Sequence, residues 1–220
     1  MVEFLKIYTS NASENKLEYM KRLDVGCLIC SLPSSSIVKG LSKVDCAIDN
    51  GAFTAYKRGF PFMSEYFLKT LDQAYKKSIK LGWIVCPDIV AGGNKSLDFS
   101  MRWANSETLE TSNNLYLPVQ DGMSAKRIGE VIGRFSGLFV GGTTEWKWEN
   151  AEWINDMAHD NGMKCHIGRC GTLEGLKAAH KIGVDSVDSS SFVRNDSWHI
   201  IEAFHRWVSH GDDQTDMFND

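Results

Sequence analysis

The sequence predicts an α/β protein built as a single (β/α)8 barrel of TIM type. Three observations lead there. Short β-rich apolar runs alternate with amphipathic helical stretches along the chain. Eight such runs can be read, the number that closes a parallel ring when helices form the crossovers. No G-x-G-x-x-G follows the first run, which weakens the competing open, doubly wound sheet.

The strands are expected at Phe4–Tyr8, Val25–Cys30, Val44–Asp49, Trp83–Asp88, Leu115–Gln120, Leu138–Gly142, Lys164–Gly168 and Asp185–Asp188. Between them, Leu68, Leu71, Tyr75 and Ile79 fall on one helical face. So do Ile128, Val131, Ile132 and Phe135, and the last helix carries Ile200, Phe204, Trp207 and Val208 at similar spacing. Ser124 and Ser197 are candidate N-caps, and Gly82, Gly162 and Gly183 sit where helices should end. The barrel domain is expected over 1–211, with a polar, acidic, fraying tail over 212–220.

Composition narrows the function. The chain has 220 residues, 43% of them hydrophobic and 24% charged, enough for one core without staples. A formal net charge of −4 excludes a globally basic nucleic-acid coat but not a local basic groove. No apolar run approaches the roughly 20 residues of a membrane span, and the N-terminus lacks a signal-peptide pattern. A cytoplasmic protein is expected. Six cysteines sit mostly in apolar runs. Cys27 and Cys30 form a C-x-x-C, but there is no second such pair and no nearby histidine pair. Buried thiols in a reducing compartment account for them better than a zinc or redox site. Of the scattered histidines only His166 lies near a predicted strand end, and no metal-ligand set emerges.

In a barrel of this kind, chemistry is carried at the C-terminal strand ends. The third strand ends in Asp49-Asn50-Gly51-Ala52-Phe53, the fourth in Cys86-Pro87-Asp88 and the fifth in Val119-Gln120-Asp121-Gly122. The sixth ends at Gly141-Gly142, the seventh in His166-Ile167-Gly168-Arg169 and the eighth at Asp188, with Arg194 shortly after. Several carboxylates, an amide, glycine turns and an aromatic thus converge on one mouth. That set suits recognition of a flat polar heterocycle with substitution at a sugar carbon. A carboxylate and an amide can read a purine edge. Backbone N–H groups at Gly141-Gly142 can meet a carbonyl oxygen, and Phe53 can stack on the ring. One carboxylate can attack an anomeric carbon while a second moves the proton on the departing base. Each residue also has a plainer reading: an Asp at a strand end often caps the next helix, Gln120 can be a satisfied loop residue, and Phe53 can be core.

At these residues the chain resembles the tRNA-guanine transglycosylase superfamily. Its D-S-G-G-F motif resembles Asp49 to Phe53, and its V-Q-G-G segment resembles Val119 to Gly122. Its G-G turn resembles Gly141-Gly142, its M-G-V-G segment resembles Ile167 to Cys170, and its G-I-D-x-F-D segment resembles Gly183 to Asp188. The motifs keep the family's order from Asp49 to Arg194. Departures are Asn50 for Ser, Ala52 for Gly, Asp121 for a Gly of V-Q-G-G, and Ile167 for the stacking Met. The resemblance implies that Asp188 is the nucleophile and Asp49 the acid/base partner. It implies that Asn50, Asp88, Gln120, Gly141 and Gly142 bind the base, with Phe53 and Ile167 sandwiching it. Arg194, Lys147 and Arg169, together with Lys57, Arg58, Lys95 and Arg102, are candidates for phosphate contacts. Trp146 and Trp148 could stack on bases or simply pack.

The family's tRNA enzymes carry a C-terminal zinc subdomain with a C-x-C-x-x-C…H cluster, whereas no cysteine follows Cys170 here. The chain therefore looks more like a compact phage and bacterial DNA branch, which exchanges guanine in DNA for a 7-deazaguanine. The partners implied are DNA and a free 7-deazaguanine such as the 7-cyano form, with no metal or cofactor, in the host cytoplasm if phage-encoded. The alternatives are a tRNA-directed transglycosylase, an N-glycoside hydrolase, and a non-catalytic partner subunit.

Overall fold

The computed structural model describes residues 5–10, 13–33, 37–38 and 40–210. Eight parallel strands close into a barrel in chain order, and the first pairs with the last. They are β1 (Lys6–Ser10), β2 (Gly26–Cys30), β3 (Cys46–Asp49), β4 (Leu81–Val85), β5 (Leu115–Val119), β6 (Gly137–Val140), β7 (Lys164–Ile167) and β8 (Ser186–Ser189). The helices are α1 (Leu17–Arg22), α2 (Ala52–Lys57), α3 (Ser64–Lys76), α4 (Asn94–Ala104), α5 (Ala125–Val131), α6 (Thr144–Asp160), α7 (Leu173–Ile182), α8 (Ser191–Arg194) and α9 (Trp198–His210). Among the described residues, a 3-10 turn at Leu41–Lys43 takes the place of a crossover helix between β2 and β3.

Strand period and barrel closure together sort the side chains. Alternate residues point to opposite faces of a strand. Ile7, Ile29, Ile48, Leu117, Val140 and Val187 therefore pack outward with the helix faces, including Phe67, Leu97, Ile154 and Leu176. Tyr8, Leu28, Ala47, Trp83, Val85, Tyr116 and Phe139 fill the barrel interior. Both faces are covered, which is why the strands read as nearly continuous apolar runs. At the floor, Trp83 and Tyr116 stack with centroids 4.7 Å apart and Tyr8 meets Trp83 edge-on at 5.4 Å. These rings lie over glycines: a Cβ on Gly137 would come within 2.4 Å of the Tyr116 ring.

All eight expected strands are present, displaced by a few residues at their ends. Phe4 and the tail over 212–220 lie outside the described residues. Ser124 caps α5 by accepting from the Arg127 N–H, and Gly183 ends α7 at φ 85°. Two helical expectations are corrected. Gly82 lies inside β4 rather than ending a helix. The chain leaves α3 earlier, with Ser78 in the left-handed region at φ 52° and the Ile79 N–H returning to the Ala74 carbonyl. The buried face of α3 is Phe67, Thr70, Leu71 and Ala74, while Leu68 and Tyr75 face solvent. Docking decides this phase: Phe67 packs against the Phe62 and Trp103 rings at 6.1 and 5.8 Å, which rotates the helix by one residue.

No helix among the described residues is long and apolar enough to cross a membrane.

Candidate active site

The inward alternation continues up to the C-terminal rim. Two residues beyond inward Ala47 stands Asp49, and two beyond Leu28 stands Cys30. On β8, Val187 packs outward, so Ser186 and Asp188 point in. Cys30 and Asp49 are register partners across β2 and β3. Asp49 and Asp188, from strands separated in the ring by β1 and β2, therefore face one mouth.

Their electrostatics reflect that. Burial first, then the charges of Asp188 and Asp88, push Asp49 up to about 7. Donation from the Gly51 N–H and the Cys30 thiol offsets only part of this. Burial, followed by the Asp49 and Asp188 charges, drives the Cys30 thiol well up, so it stays a neutral donor. The turn holding Asp49 depends on Gly51, at φ 82°, where a Cβ would lie 2.2 Å from the Ser31 carbonyl oxygen. The Ser31 hydroxyl donates to the Asp49 carbonyl at 2.7 Å and fixes the same corner.

Asp88, just beyond β4, is held on both oxygens. Asn50 Nδ2 donates to its Oδ1 at 2.8 Å and to the Cys86 carbonyl at 2.8 Å. Gln120 Nε2 donates to its Oδ2 at 3.1 Å. Burial outweighs these two amides and places Asp88 at about 6. Gln120 is occupied on every side. Its Nε2 also reaches the Ile89 carbonyl and the Ser96 hydroxyl, and its Oε1 accepts from the Ala91 N–H at 2.7 Å. In this state Gln120 orients Asp88, with both amide hydrogens committed inside the protein.

Asp188 has its own support. His166, fully buried, places Nε2 3.0 Å from Asp188 Oδ1 and Nδ1 2.8 Å from the Ser186 hydroxyl. His166 is in register with Ser186, which brings the three side chains together across β7 and β8. The imidazole is gripped by Phe139, stacked at 4.8 Å, and by Trp83 at 4.7 Å. Ser186 was missing from the sequence-derived set. Its signal was position alone, two residues before Asp188 on the same face.

The rim above is formed by Phe53, Gly142 and Arg169. Phe53 is 38% exposed on α2, and the Arg169 guanidinium lies 4.4 Å from its ring centroid. Arg169, itself at φ 57°, also donates to the Gly142 carbonyl. Gly142, at φ 76°, is required: a Cβ there would stand 2.4 Å from Asp121 Oδ2. That carboxylate accepts from the N–H and hydroxyl of Thr143, the N-cap of α6, at 2.8 Å each. The Gly141 N–H is taken by the Val119 carbonyl at 2.8 Å, which leaves Gly142 as the candidate reader in this turn.

Two sequence-derived assignments do not meet the mouth. Ile167 is fully buried with the outward layer, because His166 beside it points in and adjacent strand residues must point oppositely. It cannot form one side of an interior slot; Gly168 occupies the inward position. Lys147 is only 2% exposed, and its ammonium donates to the Gly168 carbonyl at 2.8 Å and the Arg169 carbonyl at 3.4 Å. It braces the turn after β7 rather than presenting a charge to phosphate. Arg194 is exposed at the end of α8. Trp146 and Trp148 are half-buried and pack against the core.

A cavity of about 660 Å³ opens at the opposite, N-terminal face, lined by Lys6, Tyr8, Trp83, Tyr116, Asp185 and Ser186 among others. A hollow of about 410 Å³ lies beside Phe99 and Trp103. Neither touches the three carboxylates, and function in this architecture sits at the C-terminal rim. Among the described residues no group of three or more His, Cys, Asp or Glu is arranged to hold a metal ion. Comparison of the chain with protein-family models and with curated proteins gives no match.

Proposed function

We propose that the protein is a guanine transglycosylase that exchanges guanine in DNA for a 7-deazaguanine through a covalent aspartyl-sugar intermediate. The observation that carries this reading is the coupled pair Asp49 and Asp188, one carboxyl pushed to about 7 by burial and by its partner's charge. A carboxyl raised in this way, facing the same mouth as a second carboxyl, supplies a proton carrier beside a candidate nucleophile.

In this reading an extruded guanosine enters the mouth, where extrusion costs a few kcal/mol from a duplex and less from a single strand. Asp88, steadied by Asn50 and Gln120, accepts hydrogen bonds from the base edge. Of the residues to which the resemblance gave base reading, Asp88 and Gly142 read directly and Gln120 acts through Asp88. The Gly142 N–H meets the base carbonyl, and Phe53 provides a stacking face worth about 1–3 kcal/mol per base. An Asp188 oxygen forms a bond to C1′ as the C1′–N9 bond breaks with its electron pair going to guanine. Asp49, half-protonated near neutral pH, delivers the proton that the departing base takes up. The incoming base binds in the same place, loses its N9 proton to Asp49, and attacks C1′ while the Asp188–C1′ bond breaks. Two inversions give net retention.

The test is incubation of the protein with labelled guanine and either DNA or tRNA. Label entering DNA supports the reading. Label entering only tRNA moves the activity to RNA, where a ribose 2′-hydroxyl contact would discriminate. Abasic product without label identifies a hydrolase.

A further inference from the structure

We propose that His166 is a positioning residue for Asp188, acting with Ser186 as a fixed donor that holds one carboxylate oxygen and leaves the other for the sugar carbon. The proposal deepens the base-exchange reading and rests on it. Nothing in the family resemblance assigns a role to either residue.

The argument starts from hydrogen-bond inventory. An ionised carboxylate can only accept. Asp188 Oδ1 lies 3.0 Å from His166 Nε2, so that nitrogen must carry the hydrogen. In a neutral imidazole the other nitrogen is then bare and must accept. Its neighbour, at 2.8 Å, is the Ser186 hydroxyl, which can donate. The chain Ser186 to His166 to Asp188 therefore runs in one direction: the Asp188 carboxylate sets the tautomer, and the Ser186 hydroxyl donates to the nitrogen left bare.

The setting makes the arrangement rigid. His166 is fully buried, stacked on Phe139 and flanked by Trp83 and by Tyr8 at 6.1 Å. The imidazole cannot turn without displacing these rings. The backbone holds Asp188 too, with its carbonyl accepting from the Cys170 N–H at 2.6 Å. The groups that act on Asp188 from neighbouring elements are Asp49 on β3, Cys30 on β2, Lys147 on α6 and Cys170 after β7. Two of these are thiols that burial keeps neutral, one is a carboxyl and one a lysine occupied by backbone carbonyls. His166 is the side chain that bonds Asp188 itself, at 3.0 Å. A nucleophile must be aimed within a fraction of an ångström, and displacement by about 1 Å can cost 100-fold in rate.

The test combines nitrogen NMR of the histidine tautomer in the full-length protein with base-exchange kinetics. The wild-type protein is expected to carry the His166 proton on Nε2, and Ser186→Ala to keep it there while the Nδ1 resonance moves with the loss of its donor. His166→Leu is expected to lower kcat about 100-fold with KM changed less than about threefold. His166→Gln, whose amide N–H can stand where Nε2 stood, is expected to restore at least a tenth of the wild-type kcat, a rescue that loss of packing alone would not give. A proton on Nδ1 in the wild type overturns the proposal, as does equal loss of kcat in the Leu and Gln variants. If His166→Leu fails to fold, the wild-type tautomer and the Gln variant decide. Asp188→Asn separates the two levels. Full exchange in Asp188→Asn overturns the base-exchange reading and this proposal with it. Dead Asp188→Asn beside fully active His166→Leu overturns only the role of His166.

Discussion

The Arg169 guanidinium lies over the Phe53 ring at 4.4 Å and at the same time bonds the Gly142 carbonyl. It thus covers the aromatic face on which a base would stack in the proposed exchange, and touches the turn that would read it. Nucleic-acid phosphate is a stronger partner for a guanidinium than one carbonyl. Arg169 is therefore expected to swing away when DNA binds. Arg169→Ala should raise KM for DNA about tenfold and lower the slope of log K against log salt by about 1. Affinity for the free base should be unchanged or tighter. Binding titrations across a salt series check this, and an unaltered salt slope would refute it.

Asp188→Asn removes the attacking oxygen's charge while keeping its shape. Exchange should fall by at least about 1,000-fold, in line with loss of a true nucleophile. Denaturing gels after a stop with the wild-type protein should reveal a protein–DNA adduct that the variant lacks. An active variant refutes the assignment.

Asp49 gives a pH signature with a definite sign. Its folded value is raised to about 7 from 3.8. Between those values the folded state binds more protons than the unfolded state, so stability falls as pH rises through that window. Asp49→Asn should therefore be more stable than the wild type at pH 8, by about 1–3 kcal/mol after allowing for its partial exposure. At pH 4 the two should match. Denaturant melts at both pH values measure this. The same group predicts that wild-type exchange declines as pH climbs above about 7, a limb absent in the variant.

Gly51→Ala should be far more damaging than a surface glycine change. Its φ is 82° and the new Cβ would fall 2.2 Å from the Ser31 carbonyl oxygen. Strain in the left-handed region plus this clash should cost more than about 2 kcal/mol. The corner that moves also carries Asp49 and Asn50, so activity should drop further than stability. Gly133→Ala, where a Cβ meets nothing within 4 Å, is the matched control. Thermal melts and exchange rates on both variants decide.

Lys147→Ala tests a structural lysine against a phosphate-binding one. It leaves the Gly168 and Arg169 carbonyls without their buried donor, at a cost of about 1–3 kcal/mol for each group left unpaired. Melting temperature should fall while the salt slope of DNA binding stays put, the opposite pattern to Arg169→Ala. A salt slope that drops by about 1 would return Lys147 to the phosphate contacts.

Taken alone, the sequence determined the alternation of strands and helices, because burial on both strand faces writes apolar runs that turn residues must interrupt. It also determined which carboxylates sit at strand ends: Asp49, Asp88 and Asp188. Tertiary structure decided everything that turns on parity, phase and register. One residue of parity sent Ile167 outward and His166 inward. Docking against Phe62 and Trp103 chose the buried face of α3. Register between β7 and β8 set His166 beside Ser186 and so beneath Asp188. The physical reason is that hydrophobic burial is nondirectional and visible in composition along the chain, whereas hydrogen bonds such as Gln120 to Asp88 or Lys147 to Gly168 need atoms brought within about 3 Å by distant segments.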